Sequence, residues 1–291
     1  MRVVVSLSTI PTRVPYLHRI INQLQNQTYP IDKIYLNIPY YSNREKREYP
    51  PLPDNLNLKN VQVIRCEDRG PITKLYPVLQ YETHDDTIII TLDDDVSYIP
   101  TRVETLVKWC RLYPNSALAA TGYIIGNWYN YFGHIECPEK ITTVSIIEGY
   151  SGCAYRRKFF NTDLLDYSGA PKESYYHDDV WISGYLALQN IDRLVHPEFF
   201  LDWKNNLGRL PAGLSDDIYS TITKFFPVVN HFKNKGVFNE PQIAPWHTTL
   251  GIQIPLIILL IILLICIFAY ILLHNKEIIP NYFFTSEVLL Q

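Results

Sequence analysis

Thr87-Ile88-Ile89-Ile90-Thr91-Leu92-Asp93-Asp94-Asp95 is the stretch on which the reading of this fold turns. An unbroken β-branched and aliphatic run, without polar alternation, reads as a strand buried on both faces, as in a parallel sheet covered by helices. Such a strand delivers its last residues to the carboxyl edge of the sheet, where open α/β folds hold ligands. Three carboxylates crowded there raise one another's pKa, and a hard divalent cation relieves that repulsion. Mn2+ or Mg2+ is therefore the expected cofactor. Strand alternation sends Asp93 and Asp95 to one side and Asp94 to the other, provided the extended geometry runs through the motif. An acidic run by itself reads as a solvated turn, so it is the preceding strand that favours a metal site.

Outward from this stretch, Val3 to Leu7 reads as another buried strand, followed by the loop Ser8-Thr9-Ile10-Pro11-Thr12-Arg13. Val14, Leu17, Ile20, Ile21 and Leu24 predict a helix from about Pro15 to Gln25, with Thr12 as its cap. Strands are expected at Lys33 to Ile38 and Val61 to Cys66, separated by a polar, Pro-rich connection, and a short helix near Thr73. Beyond the acids, Val103, Leu106, Val107 and Cys110 mark a helix opening near Pro100-Thr101. Strands at Ala117 to Ile124, Thr142 to Ile147 and Ile191 to Phe200 complete the expectation, with a helix after His177-Asp178-Asp179. Strands alternating with helices imply a mostly parallel sheet flanked by helices.

Composition limits the partners. A net charge of −3 and the lack of a Lys/Arg stripe argue against nucleic acid, whose phosphates need concentrated positive charge. Leu250 to Leu273 carries no charge and is rich in Ile and Leu, long enough to cross a bilayer. The expected organisation is a catalytic domain over 1–240, a transmembrane helix over 250–273 and a short tail over 274–291. Cys66, Cys110, Cys137, Cys153 and Cys266 are scattered, odd in number and without a C-x-x-C pair, which predicts reduced thiols. The first residues read as a core strand and not as a signal peptide, and Lys224, Lys233 and Lys235 precede the apolar run. The expectation is a single-pass carboxyl-terminal anchor with the catalytic domain in the cytosol.

Four segments need one explanation: Ser8 to Arg13, Asp68-Arg69-Gly70-Pro71-Ile72-Thr73-Lys74, Asp93-Asp94-Asp95, and His177-Asp178-Asp179-Val180-Trp181. In this order and spacing the chain resembles the nucleotide-sugar-dependent glycosyltransferases of the GT-A fold, particularly bacterial and large-virus enzymes with a G-P-x-T-K segment before a D-D-D motif. The resemblance implies a Rossmann-like α/β fold and a nucleoside-diphosphate sugar as donor. A glycan, glycolipid or protein hydroxyl would be the acceptor. It implies Asp93 and Asp95 on the metal, Asp94 near the ribose or donor sugar, and Thr9, Pro11 and Arg13 around the nucleotide. Asp68 would contact the base or ribose, and Lys74 a phosphate or the donor sugar. The D-D-V step resembles the E-D-V type motif of inverting members, making Asp179 the catalytic base and Asp178 its acceptor-side neighbour. The segment Glu148 to Arg157 resembles the acceptor-side segment, where glycines let a sugar approach the backbone. A histidine metal ligand is expected from His196, His231 or His247, with His231 preferred.

Two other classes remain compatible with these residues. One is a metal-dependent nucleotidyltransferase, which would release pyrophosphate. The other is a membrane-tethered glycan- or nucleotide-binding module without turnover.

Overall fold

Val3, Val4, Val5 and Leu7 are all shielded from solvent, as are Ile88, Ile89 and Ile90, because the strands that carry them have helices on both sides. The structure, a computed structural model, describes residues 1–125, 133–200, 218–238, 261, 263–265 and 267. Its strands are β1 (Val3–Ser8), β2 (Lys33–Pro39), β3 (Tyr41–Ser42), β4 (Arg47–Glu48), β5 (Val61–Cys66), β6 (Ile88–Thr91) and β7 (Ser116–Ala119). The later ones are β8 (Thr121–Tyr123), β9 (His134–Glu136), β10 (Thr142–Thr143), β11 (Ile146–Ile147), β12 (Cys153–Arg156) and β13 (Asp192–Val195). Five helices are described: α1 (Leu17–Gln25), α2 (Val78–Tyr81), α3 (Arg102–Leu112), α4 (Asp178–Leu188) and α5 (Ile218–Lys233).

Eight strands form one sheet in the order β10-β13-β7-β12-β6-β1-β2-β5. The block β6-β1-β2-β5 is parallel, with Val5 beside both Ile90 and Ile34. β12 runs antiparallel to both β6 and β7, whereas β13 is parallel to β7. The sheet is thus mixed, with helices on both faces. Alternate residues of each strand choose opposite layers. Val3, Val5, Leu7, Ile88 and Ile90 join Leu17, Ile20, Ile21 and Leu24 of α1 and Val103, Leu106 and Val107 of α3. Val4 and Ile89 face the other way, toward Val180, Trp181 and Leu186 of α4 and Val228, Val229 and Phe232 of α5. Each such aliphatic side chain contributes about 1.5–3 kcal/mol by leaving water.

The parallel strands match the expected positions closely, and the other elements differ in instructive ways. The first helix is entered through a 3-10 segment, Pro11–Tyr16, and α1 proper begins at Leu17. Thr12 does not cap it: its hydroxyl donates to Glu45 at 2.8 Å and accepts from Arg47. The connection expected between β2 and β5 folds into the β3–β4 hairpin. The strand predicted over 117–124 breaks at Ala120, sending β7 to the main sheet and β8 to a three-stranded sheet with β11 and β9. The stretch 142–147 divides likewise into β10 and β11, and the last predicted strand ends at Val195. β12 was not expected at all. The expected short helix near Thr73 is a 3-10 turn, Ile72–Lys74.

The chain divides into two compact units, Met1–Pro241 and Gln242–Gln291. The expected membrane span over 250–273 lies outside the described residues except for Ile261, Leu263, Leu264, Ile265 and Ile267, which are helical and exposed. Among the described residues no helix is long and apolar enough to cross a membrane. Cys66, Cys110, Cys137 and Cys153 are free thiols, and Cys266 lies outside the described residues.

Candidate active site

Strand β6 ends at Thr91 and the chain turns at Asp94-Asp95, so the extended geometry stops at Asp93. The expected alternation therefore holds only in part. Asp94 is 6% exposed, and its two oxygens take Thr9 Oγ1 at 2.6 Å and Arg13 Nη1 at 2.7 Å. Arg13 uses its other terminal nitrogen on Asp95, 2.8 Å from Oδ2. This fork is available because β1 and β6 are adjacent and parallel, so the loop after β1 emerges beside the acids. Burial pushes the Asp94 carboxyl up to about 6 despite Arg13 and Thr9. Burial and then repulsion from Asp93 also raise Asp95.

Lys74 arrives from the turn after β5 and is 6% exposed. Its ammonium lies 2.8 Å from Asp93 Oδ1 and 3.2 Å from Asp178 Oδ2, joining the strand-end acids to the first turn of α4. Burial opposes its charge, but Asp178, Asp93 and Asp179 together hold its pKa well above the usual lysine range. Asp179, beside Asp178 on α4, accepts the Gly149 backbone N–H at 2.9 Å. A Cβ at Gly149 would stand 2.5 Å from Lys74 Nζ and 2.8 Å from Asp179 Oδ1, so only glycine lets these groups converge. A helix amino terminus favours a carboxylate, yet Asp179 is raised well above the carboxylate range, first by burial and then by Asp178, with Lys74 pulling the other way.

The structure thus gathers Thr9, Arg13, Lys74, Asp93, Asp94, Asp95, Asp178 and Asp179 at the carboxyl edge of the parallel strands. Pro11 is buried and opens the 3-10 turn that carries Arg13. Asp68 has a different occupation: it accepts N–H groups from Asn43 at 2.7 Å and Gly70 at 2.8 Å, and the Tyr175 hydroxyl at 3.2 Å. Those bonds shape one wall of an open cleft of ≈ 420 Å³, which Tyr40, Tyr41 and Tyr175 also line.

The histidines lie elsewhere. His231 stacks against Trp181 with ring centroids 5.9 Å apart. His196 is wholly buried beside Arg102 and Trp109, and burial drives its pKa down to about 2, so it is neutral. His247 falls outside the described residues. Among the described residues no three His, Cys, Asp or Glu side chains are grouped so as to hold a metal.

Tyr98 and His134 carried no sequence signal. Tyr98 accepts the Asp93 N–H at 3.0 Å and donates to Tyr150 O at 2.9 Å, bridging the acids to the turn before β12. His134 and Glu148 pair at 2.9 Å, and the Glu148 charge is among those that raise Asp179. Only the glycines of the 148–157 segment hinted at this meeting point.

No family model matches the chain, and no curated protein matches it. Among solved structures it is similar to TarS of S. aureus, at 14% sequence identity and a TM-score of 0.45. That likeness covers 84% of this chain and 41% of TarS, so the chain spans about two-fifths of the length of the protein it matches.

Proposed function

We propose that this protein transfers a sugar from a nucleoside-diphosphate sugar to a hydroxyl acceptor with inversion, using Asp179 as the base. The observation that supports this reading best is the charge balance at the sheet edge. Asp93, Asp94, Asp95, Asp178 and Asp179 converge there, and among the described residues the cations paired with them are Arg13 and Lys74.

The remaining negative charge fits a divalent cation. Asp93 and Asp95, with side chains 29% and 27% exposed, are the open members of the cluster. Mg2+ and similar ions need only one or two protein carboxylates when substrate phosphates and water complete the shell, so a third protein ligand is not required. Bound there, Mn2+ or Mg2+ would supply Lewis-acid stabilisation of the charge developing on the departing diphosphate.

The chain's own groups divide the remaining work. Arg13 and Lys74 hold the acids in place and present fixed positive charge to the donor phosphates. The tyrosine-lined cleft beside Asp68 offers flat apolar surface at the same edge of the sheet, suited to the nucleobase. Asp179 accepts the acceptor's hydroxyl proton while that oxygen bonds to the anomeric carbon and the carbon–oxygen bond to the diphosphate breaks. Burial and the neighbouring Asp178 raise its pKa, which makes it a stronger base than an ordinary carboxylate.

A panel of nucleotide sugars, assayed with Mn2+ for release of the free nucleoside diphosphate, tests the proposal. Wild-type protein is expected to release it from one donor class, and Asp95→Ala to lose both that release and Mn2+-dependent donor binding. Pyrophosphate as the product, or unaltered binding in the variant, would overturn the reading.

A further inference from the structure

Arg102 is the first residue of α3 and is completely buried, yet none of the described ion pairs includes it. Burial draws its pKa down to about 10, so it carries its charge in neutral solution. A buried cation without a counter-ion detracts from stability, so its partners matter. Nη2 donates to Ser151 O and, at 3.0 Å, to Gly152 O; Nη1 lies 2.8 Å from His196 Nε2. Two of those three partners are carbonyls of a single turn. Gly152 has φ +82, and a Cβ there would meet Leu92 Cδ2 at 2.5 Å, so the turn passes between the guanidinium and the residue preceding Asp93.

Each residue of that turn is fastened. Gly149 N–H holds Asp179, Tyr150 O receives Tyr98, and Ser151 O and Gly152 O receive Arg102. The turn closes on itself through Gly152 N–H to Gly149 O at 2.8 Å. On its far side it touches the metal acids through Tyr98, which holds the Asp93 N–H.

We infer that Arg102 is a positioning residue for the proposed base: it fixes the Gly149–Gly152 turn so that the Gly149 N–H sets the place of Asp179 relative to Asp93. The role rests on the reading of Asp179 as the base, but the clamp itself is a property of the fold and can be measured without substrate. The guanidinium lies behind the turn and acts on Asp179 only through the backbone.

The test compares full-length wild-type protein with Arg102→Lys and Arg102→Met. Hydrogen exchange at the Gly149 and Gly152 amides is expected to quicken about tenfold or more in Arg102→Met, and less in Arg102→Lys, which keeps the charge but loses the fork. Binding of Mn2+ with a nucleoside diphosphate should stay within about twofold of wild type. Turnover should fall by about 100-fold, the scale of a misplaced catalytic group. Wild-type exchange in a folded Arg102→Met protein would overturn the clamp. Donor binding that fell in step with turnover would replace positioning by general structural damage. Where Arg102→Met does not fold, Arg102→Lys is judged by the same two outcomes. If even the wild-type protein transfers no sugar, the functional reading fails, while the exchange data still decide for or against the clamp.

Discussion

Two ends of one sheet treat buried carboxylates in opposite ways. Near the amino end of β1, Glu82 is 4% exposed and receives Arg2 through two bonds of 2.8 Å and the Tyr35 hydroxyl at 2.6 Å. Burial alone would raise its pKa; the bonds from Arg2 and Tyr35 outweigh it, and the net shift is downward. At the carboxyl end Asp94 also has an arginine and a hydroxyl, yet its pKa stands near 6, and Asp179 too is raised well above the carboxylate range. The bonding is alike, but at the carboxyl end burial weighs most and the neighbouring acids add to it. One acid with two donors is satisfied, whereas five acids around the two cations found among the described residues are not. The fold thus neutralises a carboxylate at one edge and leaves several under-neutralised at the other, and the proposed cation site rests on that difference.

Lys74 offers the most forceful way to break this contrast. Replacing it with Met leaves Asp178 buried without a cation, and losing one partner of a buried pair typically costs about 3–5 kcal/mol. Glu82→Gln at the other edge keeps neutral hydrogen bonds to Arg2 and Tyr35, so its expected loss is smaller, about 1–2 kcal/mol. Urea unfolding of both variants measures the difference. Equal losses would mean that the carboxyl edge is no more strained than the amino edge.

Asp179→Asn should next separate stability from activity. The amide can still accept the Gly149 N–H but adds no charge beside Asp178. Turnover is expected to drop about 100-fold, the usual scale for a lost general base, with donor binding kept. Stability should rise, and the pH dependence gives the sign. An acid raised in the folded state favours folding while it is protonated, so its contribution declines as pH climbs above about 4, where the unfolded acid ionises. Glu82 runs the other way: lowered in the folded state, it stabilises above about 4.3 and loses that contribution as pH falls through its folded value. Unfolding curves between acid and neutral pH should therefore flatten on opposite limbs in Asp179→Asn and Glu82→Gln. Flattening on the same limb in both would remove the contrast.

How much of this could be read from the chain depends on where the constraint lies. Val3 to Leu7 and Ile88 to Leu92 announce themselves because burial on both faces demands an unbroken apolar run. The acids inherit their position from the strand before them, so Asp93, Asp94 and Asp95 were legible for the same reason. β12 was not, since Cys153-Ala154-Tyr155-Arg156 has no such run and gains its place from pairing with β6 and β7. Arg102 and Tyr98 bind backbone carbonyls across 49 and 52 residues, and a carbonyl has no residue identity to read. The sheet break at Ala120 likewise follows from where β8 finds partners. His231 was preferred as a ligand on chain order alone, and chain order says nothing of the Trp181 ring that it stacks against.

The gentlest probe is the His134–Glu148 pair, which borders the under-neutralised edge without belonging to it. The Glu148 hydrogen bond raises His134 above its ordinary value, with burial opposing. A raised histidine stabilises the fold fully below about 6.5, the unfolded value, and that contribution disappears as pH rises through the folded value. The His134 side chain is 36% exposed, so solvent screening keeps the effect under about 1 kcal/mol. Glu148→Gln keeps the shape of the pair and removes the charge. In an NMR titration the His134 pKa should fall toward 6.5 in this variant. Because the Glu148 charge also raises Asp179, the same substitution should move the titration of Asp179 downward. A His134 that shifts while Asp179 stays put would confine Glu148 to its own pair; if both move, the shortage of positive charge at the carboxyl edge extends as far as the three-stranded sheet.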